Sequence, residues 1–163
     1  MRRHLLIATG SAHNLEELRE LLDLPNANLL SLADAGISDF PEETGRTFEE
    51  NAVAKALHYA RLSELPTMAD DSGIEVDALG GRPGVKTRRY AGPNATDVQN
   101  NRKLLSEMEG FYSPEERTGR YQCVLAFVEP TGDGPVLRET THGMFEGRVA
   151  FAPRGNAGFG YDP

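Results

Sequence analysis

The opening of the chain most constrains its fold, because a strand pattern there is followed by a turn and then by a helical pattern. Residues 4–8 (HLLIA) form a short apolar run typical of a buried strand, and Thr9-Gly10-Ser11 interrupts it. Leucines then recur at helical spacing over residues 15–22, with Asn14 as the expected N-cap and Glu17 three residues beyond it. A strand, a glycine turn and a helix in this order predict an α/β fold.

The rest of the chain continues to alternate between the two periodicities. Helical spacing predicts helices over residues 47–62 and 97–108. Alternating patterns between turn residues predict strands at 29–32, 74–79, 120–128, 135–143 and 147–151. Because 163 residues suit one domain, residues 1–163 are expected to form a single mixed α/β domain.

Charge and composition limit the kinds of partner that the chain is expected to bind. The net charge of −8 repels polyanions, so no nucleic acid polymer is expected as a partner, and a free triphosphate would need a basic group or a divalent cation. No stretch approaches the ~20 apolar residues that cross a bilayer, so no membrane is expected either. The apolar run after Met1 is too short for a secretory signal, and Cys123 is the single cysteine. We therefore expect a cytoplasmic protein.

Two adjacent carboxylates, Asp70 and Asp71, precede Ser72 and Gly73 in what we interpret as an acidic turn before the strand at 74–79. Mg2+ prefers hard oxygen ligands and usually takes one or two protein carboxylates together with phosphate and water. The segment is therefore a candidate magnesium site. The alternative is a solvated turn, since so short a motif also arises by chance.

A second acidic turn contains Glu42 and Glu43, and Lys55 follows on the predicted helix. If the two acidic segments meet around one cation, Lys55 faces a phosphate. The alternative for each is a solvated loop or an exposed helix face, where most charged residues lie.

Two further segments suit a nucleotide. Thr9-Gly10-Ser11 precedes a helix, whose first N–H groups attract anions, although the Gly-Lys-Ser/Thr ending of a P-loop is absent. Residues 158–163 (GFGYDP) place two aromatic rings and an acid among glycines, and such rings can stack on a nucleobase. The alternatives are a simple tight turn and a turn whose aromatics only pack. Neither the histidines nor Cys123 show the spacing of a zinc or nucleophile site.

Taken in order, these segments resemble the inosine triphosphate pyrophosphatase family, whose members hydrolyse nonstandard purine nucleoside triphosphates such as ITP, dITP and XTP. The resemblance spans essentially the whole chain. The matching segments are residues 7–10 (IATG), 42–45 (EETG), 48–52 (FEENA), 55–56 (KA), 69–73 (ADDSG), 79–84 (LGGRPG), 89–90 (RY) and 158–163 (GFGYDP).

The resemblance implies an elongated mixed β-sheet flanked by helices, two lobes with a central nucleotide cleft, and a homodimer. It implies Mg2+ as the cofactor and a nucleoside monophosphate and pyrophosphate as products. Asp71 would be the general base and a metal ligand, with Glu43 and Glu42 as further candidate ligands. Lys55 would neutralise phosphate, and Phe159 would stack on the base. The implied substrate contacts are Thr9, Gly10, Ser11, Ala12, His13, Asn14, Lys55, Ser72, Phe159, Gly160, Tyr161 and Asp162.

The chain departs from the family pattern in two places. The first loop of the family reads Thr-Gly-Asn, two variable residues and Lys, whereas Ser11 and Asn14 stand here. Asn14 brings no charge, so weaker triphosphate binding is expected unless His13 or an arginine compensates. Family members also continue beyond the GFGYDP segment with a tail that grips the substrate, so relative to the family the domain is expected to be C-terminally incomplete. A nucleotide-binding module without turnover and a pyrophosphatase for other modified nucleotides remain the alternative functions.

Overall fold

A mixed β-sheet organises the computed structural model, which describes residues 3–22, 24–155 and 157–162. The strands are β1 (Arg3–Ile7), β2 (Ala27–Ser31), β3 (Thr67–Val76), β4 (Thr118–Thr131) and β5 (Gly134–Arg148). Their order across the sheet is β2-β1-β3-β4-β5, and β1 pairs in parallel with both of its neighbours. Only residues 132–133 join β4 to its neighbour β5, which makes that pair antiparallel. The predicted mixed sheet with helices is confirmed.

Each long helix begins after a hydroxyl side chain that caps its first turn. The helices are α1 (Ala12–Leu21), α2 (Phe48–Ser63) and α3 (Asp97–Glu107), with shorter 3-10 segments at Asp77–Leu79, Gly84–Arg89 and Pro114–Arg117. Thr47 Oγ1 accepts from the Glu50 amide at 3.1 Å, and Thr96 caps α3 in a reciprocal capping box. The predicted N-cap at Asn14 is wrong, because Ser11 caps α1 and its Oγ accepts from the Asn14 amide at 3.3 Å.

The acidic segment at 70–73 is not a turn but part of β3, which corrects the sequence interpretation. Asp70 and Asp71 are only 6% and 9% exposed, respectively. Charged residues at consecutive positions interrupt the alternation that identifies a strand, which is why the sequence concealed it. The two strands expected at 135–143 and 147–151 are likewise wrong, because β5 runs unbroken to Arg148 through Gly143 and Gly147.

By contacts the chain divides into two compact units, one of residues 1–71 with 124–142 and one of residues 72–123 with 143–163. The core of the second unit is built from Ile74, Val76, Leu79, Tyr90, Leu104 and Met108. The first unit buries Leu6, Ile7, Ala52, Ala56, Tyr59 and Val128, among others. Within the described residues, no helix is long and apolar enough to cross a membrane. The expectation of a single domain stays a prediction.

Candidate active site

Helix α2 of the first unit carries two polar side chains that lie among its buried apolar residues. Asn51 and Lys55 lie four positions apart, so they stand one turn above the other on the same side of the helix. Asn51 is 2% exposed, and the Lys55 side chain is 16% exposed. The apolar positions that anchor the helix are Phe48, Ala52, Ala56, Tyr59 and Ala60. Packing of these residues fixes where the two polar side chains point.

Both carboxylate oxygens of Asp71 face groups from α2. Asn51 Nδ2 donates to Asp71 Oδ2 at 2.9 Å, while Lys55 Nζ lies 3.7 Å from Asp71 Oδ1. Lys55 Nζ also pairs with Glu43 Oε1 at 2.7 Å, which brings the 42–45 segment to the same place. Glu42 is exposed. The structure thus brings together Glu43, Lys55 and Asp71, three residues that the sequence singled out separately.

The surroundings of Asp71 raise its pKa from the ordinary 3.8 to about 6. Burial is the largest cause, since the charged carboxylate loses hydration. The Lys55 charge and the Asn51 hydrogen bond act in the opposite direction, and the negative charges of Glu43 and Asp70 raise the pKa further. A carboxyl with a pKa of about 6 is ionised at neutral pH yet basic enough to accept a proton.

Asp70 has partners different from those of its neighbour. Successive side chains of a strand point to opposite faces, and Asp70 Oδ2 accepts from Asn14 Nδ2 of α1 at 2.6 Å. Its Oδ1 is buried and has no hydrogen-bond partner among the described residues. Through Asn14 the 9–14 segment reaches β3, and within that segment the Ser11 amide donates to Thr9 Oγ1 at 3.2 Å. The side chain of Ala12 lies outside the described part of the structure.

The donor set fits a magnesium ion, although no three His, Cys, Asp or Glu side chains of the described residues converge on one point. Mg2+ usually takes only one or two carboxylates from the protein and completes its shell with phosphate and water. Glu43 and Asp71 present such oxygens to one cationic group, the Lys55 ammonium. These two carboxylates, rather than Asp70 on the other face of β3, are suited to holding the metal.

The predicted base-binding loop belongs to the second unit, where α3 holds it. Asn101 Nδ2 donates to the Gly160 carbonyl at 2.9 Å, and the Gly160 amide donates to Asp97 Oδ2 at 3.1 Å. Tyr161 Oη donates to the Thr87 carbonyl at 2.9 Å. Residues 159–162 are thus fixed through their backbone and Tyr161. Pro163 lies outside the described residues, as does residue 156.

The last residues of that loop also line a cavity of about 350 Å³ within the second unit. Tyr121 Oη donates to Asp162 Oδ1 at 3.0 Å, and Asp162 Oδ2 accepts from the Phe159 amide at 3.1 Å. Burial raises the pKa of both Tyr121 and Tyr161, so these phenols stay neutral hydrogen-bond donors.

Ser72, which the resemblance implies as a substrate contact, is exposed on β3.

Comparison with known proteins assigns the chain to a family. A model of the Ham1 family matches residues 5–163. The chain belongs to the Ham1 family. A dITP/XTP pyrophosphatase of Geobacter sulfurreducens is 48% identical over 161 residues, which cover 98% of this chain and 77% of the relative. A dITP/XTP pyrophosphatase of Bacillus subtilis is 43% identical over 161 residues, which cover 99% and 79% respectively.

Solved structures of similar proteins share the fold. A HAM1 protein from Coxiella burnetii superposes with a TM-score of 0.86 at 40% identity, covering 99% of this chain and 80% of that one. A nucleoside-triphosphatase / dITP/XTP pyrophosphatase from Mycobacterium abscessus gives a TM-score of 0.79 at 34% identity, covering 98% and 81%.

The sequence did not identify every residue that shapes the site of this Ham1 chain. The sequence identified Asn51 only as part of a segment that matches the family. Its spacing of four residues from Lys55 nevertheless places both side chains on one side of α2. Asp97 and Asn101 also stand four apart, but nothing in the sequence connects them with Gly160. The individual roles of the site residues stay predictions.

Proposed function

We propose that this Ham1 chain hydrolyses nonstandard purine nucleoside triphosphates, such as ITP, dITP and XTP, to the monophosphate and pyrophosphate. The observation that carries the proposal is the buried Asp71 carboxylate, which Asn51 and Lys55 hold beside Glu43. The names of the Geobacter and Bacillus relatives, both dITP/XTP pyrophosphatases, support the same substrates.

Asp71 is the proton acceptor in this proposal. In the proposed step a water oxygen bonds to the α-phosphorus, the bond from that phosphorus to the α–β bridging oxygen breaks, and pyrophosphate leaves with the bridging oxygen. Asp71 takes a proton from that water, and its pKa of about 6 keeps it in the basic form at neutral pH. At 9% exposure Asp71 has little contact with bulk solvent, and its Oδ2 accepts a hydrogen bond from Asn51 Nδ2.

The negative charge of the triphosphate would be neutralised by Lys55 and by a metal that Glu43 and Asp71 hold. Glu42, which precedes Glu43 in the sequence, is a further candidate ligand. Magnesium, when bound, supplies positive charge that polarises the phosphates. Lys55 lies within 4 Å of both carboxylates, so its ammonium serves a phosphate placed at the same centre. The net charge of −8 makes such local cationic groups necessary for an anionic substrate.

Substrate recognition uses the two loops that the resemblance implies. Residues 9–14 lead into the N-terminus of α1, whose positive end attracts the phosphates, and Ser72 adds a hydroxyl. Phe159 stacks on the base, while Gly160, Tyr161 and Asp162 read its edge. We further propose that the protein acts as a homodimer in the cytoplasm, which sedimentation and cell fractionation would test.

A panel of triphosphates tests the proposal. With Mg2+ present, ITP, dITP and XTP should release pyrophosphate and little orthophosphate, and ATP and GTP should react much more slowly. Calorimetric binding of ITP without any turnover would identify a binding module instead. A preference for modified pyrimidine or methylated nucleotides would move the assignment to another class of house-cleaning pyrophosphatase.

A further inference from the structure

One side chain that is assigned neither to proton transfer nor to metal or substrate binding joins the two acidic segments of the first unit. Asn51 Oδ1 accepts from the Gly45 amide at 2.7 Å, and Asn51 Nδ2 donates to Asp71 Oδ2 at 2.9 Å. Both ends of one amide are therefore used, one on the loop that carries Glu43 and the other on the Asp71 carboxylate. At 2% exposure, Asn51 makes these bonds away from solvent, where they are stronger and more directional.

The loop at Gly45 leaves room for the side-chain amide of Asn51. A Cβ on Gly45 would overlap Asn51 Oδ1, and its backbone is outside the left-handed region, so close approach rather than an unusual φ requires glycine here. The next amide, at Arg46, donates to Glu50 Oε2 at 2.6 Å. Two consecutive loop amides are thus held by two consecutive residues of α2, but only Asn51 also reaches Asp71.

Lys55, one turn further along α2, contacts the same loop and the same strand as Asn51. Its ammonium contacts Glu43 of the loop and Asp71 of β3. An ammonium attracts carboxylates without fixing their orientation, whereas a planar amide has directed donors and acceptors. The directed bonds of Asn51 therefore suit it to fixing the position of the loop and of the Asp71 carboxylate, while Lys55 supplies the opposing charge.

We infer that Asn51 is a positioning residue, which holds the Glu43 loop and the Asp71 carboxylate in one fixed geometry. The part of this inference that concerns turnover rests on the proposed function. Residues that orient ligands or bases in this indirect way typically contribute about 10- to 100-fold to activity.

Asn100 provides a matched control in the second unit. It is also 2% exposed, its Oδ1 accepts from the Ala91 amide at 2.8 Å, and its Nδ2 donates to the Arg88 carbonyl at 3.0 Å. Asn100 therefore shares the burial and the local loop contact of Asn51, but its second bond goes to a carbonyl instead of a carboxylate. Replacing it reports the cost of losing any buried asparagine.

Hydrogen exchange at single amides tests the inference without reference to turnover. In Asn51→Ala the Gly45 amide should exchange about fivefold or more faster than in the wild type, because its acceptor is lost. The Arg46 amide, bonded to Glu50, should change little. Asn100→Ala should leave Gly45 unchanged. Equal protection of Gly45 in the wild type and in Asn51→Ala would overturn the inference.

Kinetics of folded variants test whether Asn51 also positions the Asp71 carboxylate. Asn51→Asp keeps the acceptor for Gly45 and replaces the donor to Asp71, so Gly45 should stay protected while kcat for ITP falls about 10- to 100-fold. KM should change by less than about threefold, because a positioning residue does not touch the substrate. Asn100→Asp should retain kcat. A kcat for Asn51→Asp equal to that of Asn100→Asp would contradict the inference.

A double-mutant cycle tests whether Gly45 and Asn51 share one contact. Gly45→Ala places a methyl against Asn51 Oδ1 and should lower kcat in the wild type. In the Asn51→Ala background the same change should cost less, since the overlapping oxygen is gone. Fully additive losses would contradict a shared contact. If the wild type releases no pyrophosphate at all, the proposed function fails, and exchange at Gly45 still decides whether Asn51 holds the loop.

Discussion

The Lys55 ammonium lies 2.7 Å from the Glu43 carboxylate, although the two residues are twelve positions apart in the sequence. Because the same ammonium is 3.7 Å from Asp71, one cation balances two acids that come from a loop and from a strand. Most charged residues lie in solvent, so this partly buried grouping supports the proposed active centre.

The raised pKa of Asp71 makes stability depend on pH. A carboxyl with a folded pKa of about 6 and an ordinary value of 3.8 contributes stability that is present below pH 3.8 and lost as the pH rises through 6. In chelator-treated protein, Asp71→Asn should therefore raise the free energy of unfolding at pH 7.5 by up to ~3 kcal/mol. Urea denaturation between pH 4 and pH 8 measures this. A gain that persists at pH 4 would contradict the assignment.

Lys55→Met should leave Glu43 and Asp71 facing each other without a counter-charge. Turnover of ITP should fall by about 10²- to 10³-fold, the size of effect seen when one electrostatic donor is removed from an active site. Steady-state kinetics with saturating Mg2+ measure it. Arg61→Met, an exposed change on the same helix, is the control and should retain near-normal activity. Equal activity of the two variants would remove Lys55 from the mechanism.

Asn14→Lys should restore the charge that the family carries in the first loop. The new ammonium can pair with Asp70 and attract phosphate, so KM for ITP should fall about tenfold with little change in kcat. Added salt should weaken the gain, because the effect is electrostatic. Asn14→Gln, which adds length without charge, should not lower KM. A salt-independent gain shared by both variants would refute the charge explanation.

Arg117 stabilises the second unit through a buried guanidinium. It is 3% exposed and donates to the carbonyls of Val149, Ala150, Met108 and Phe111 at 2.8 to 3.1 Å. Arg117→Met should lower the free energy of unfolding by about 3 kcal/mol or more, because several carbonyls lose their donor. Thermal denaturation measures the loss. Arg102→Met, exposed on α3, should cost less than about 0.5 kcal/mol.

Elements with strong local signals were predictable from the sequence. Helix α2 was expected at 47–62 and spans Phe48–Ser63, because a threonine cap and five apolar positions at helical spacing specify it locally. The sequence did not predict β3 at 70–73, because the adjacent Asp70 and Asp71 favoured an acidic turn. Their burial depends on partners from α1 and α2 that are distant in sequence.

The candidate site was predictable only in its parts. Glu43, Lys55 and Asp71 were each identified by residue type and by the family resemblance, but local patterns do not report that one ammonium touches both acids. The two bonds of Asn51 were missed for the same reason, as they link positions 6 and 20 residues away. Tertiary packing of α2, not periodicity, creates these contacts.

The most direct test of the account compares wild type and Asp71→Asn in one assay of pyrophosphate release from ITP with Mg2+. Circular dichroism and calorimetric ITP binding establish that the variant is folded and competent to bind. Loss of the proton acceptor should lower kcat about 10²- to 10⁴-fold while ITP still binds. Near-normal pyrophosphate release by the folded variant would contradict the central claim that Asp71 is the general base.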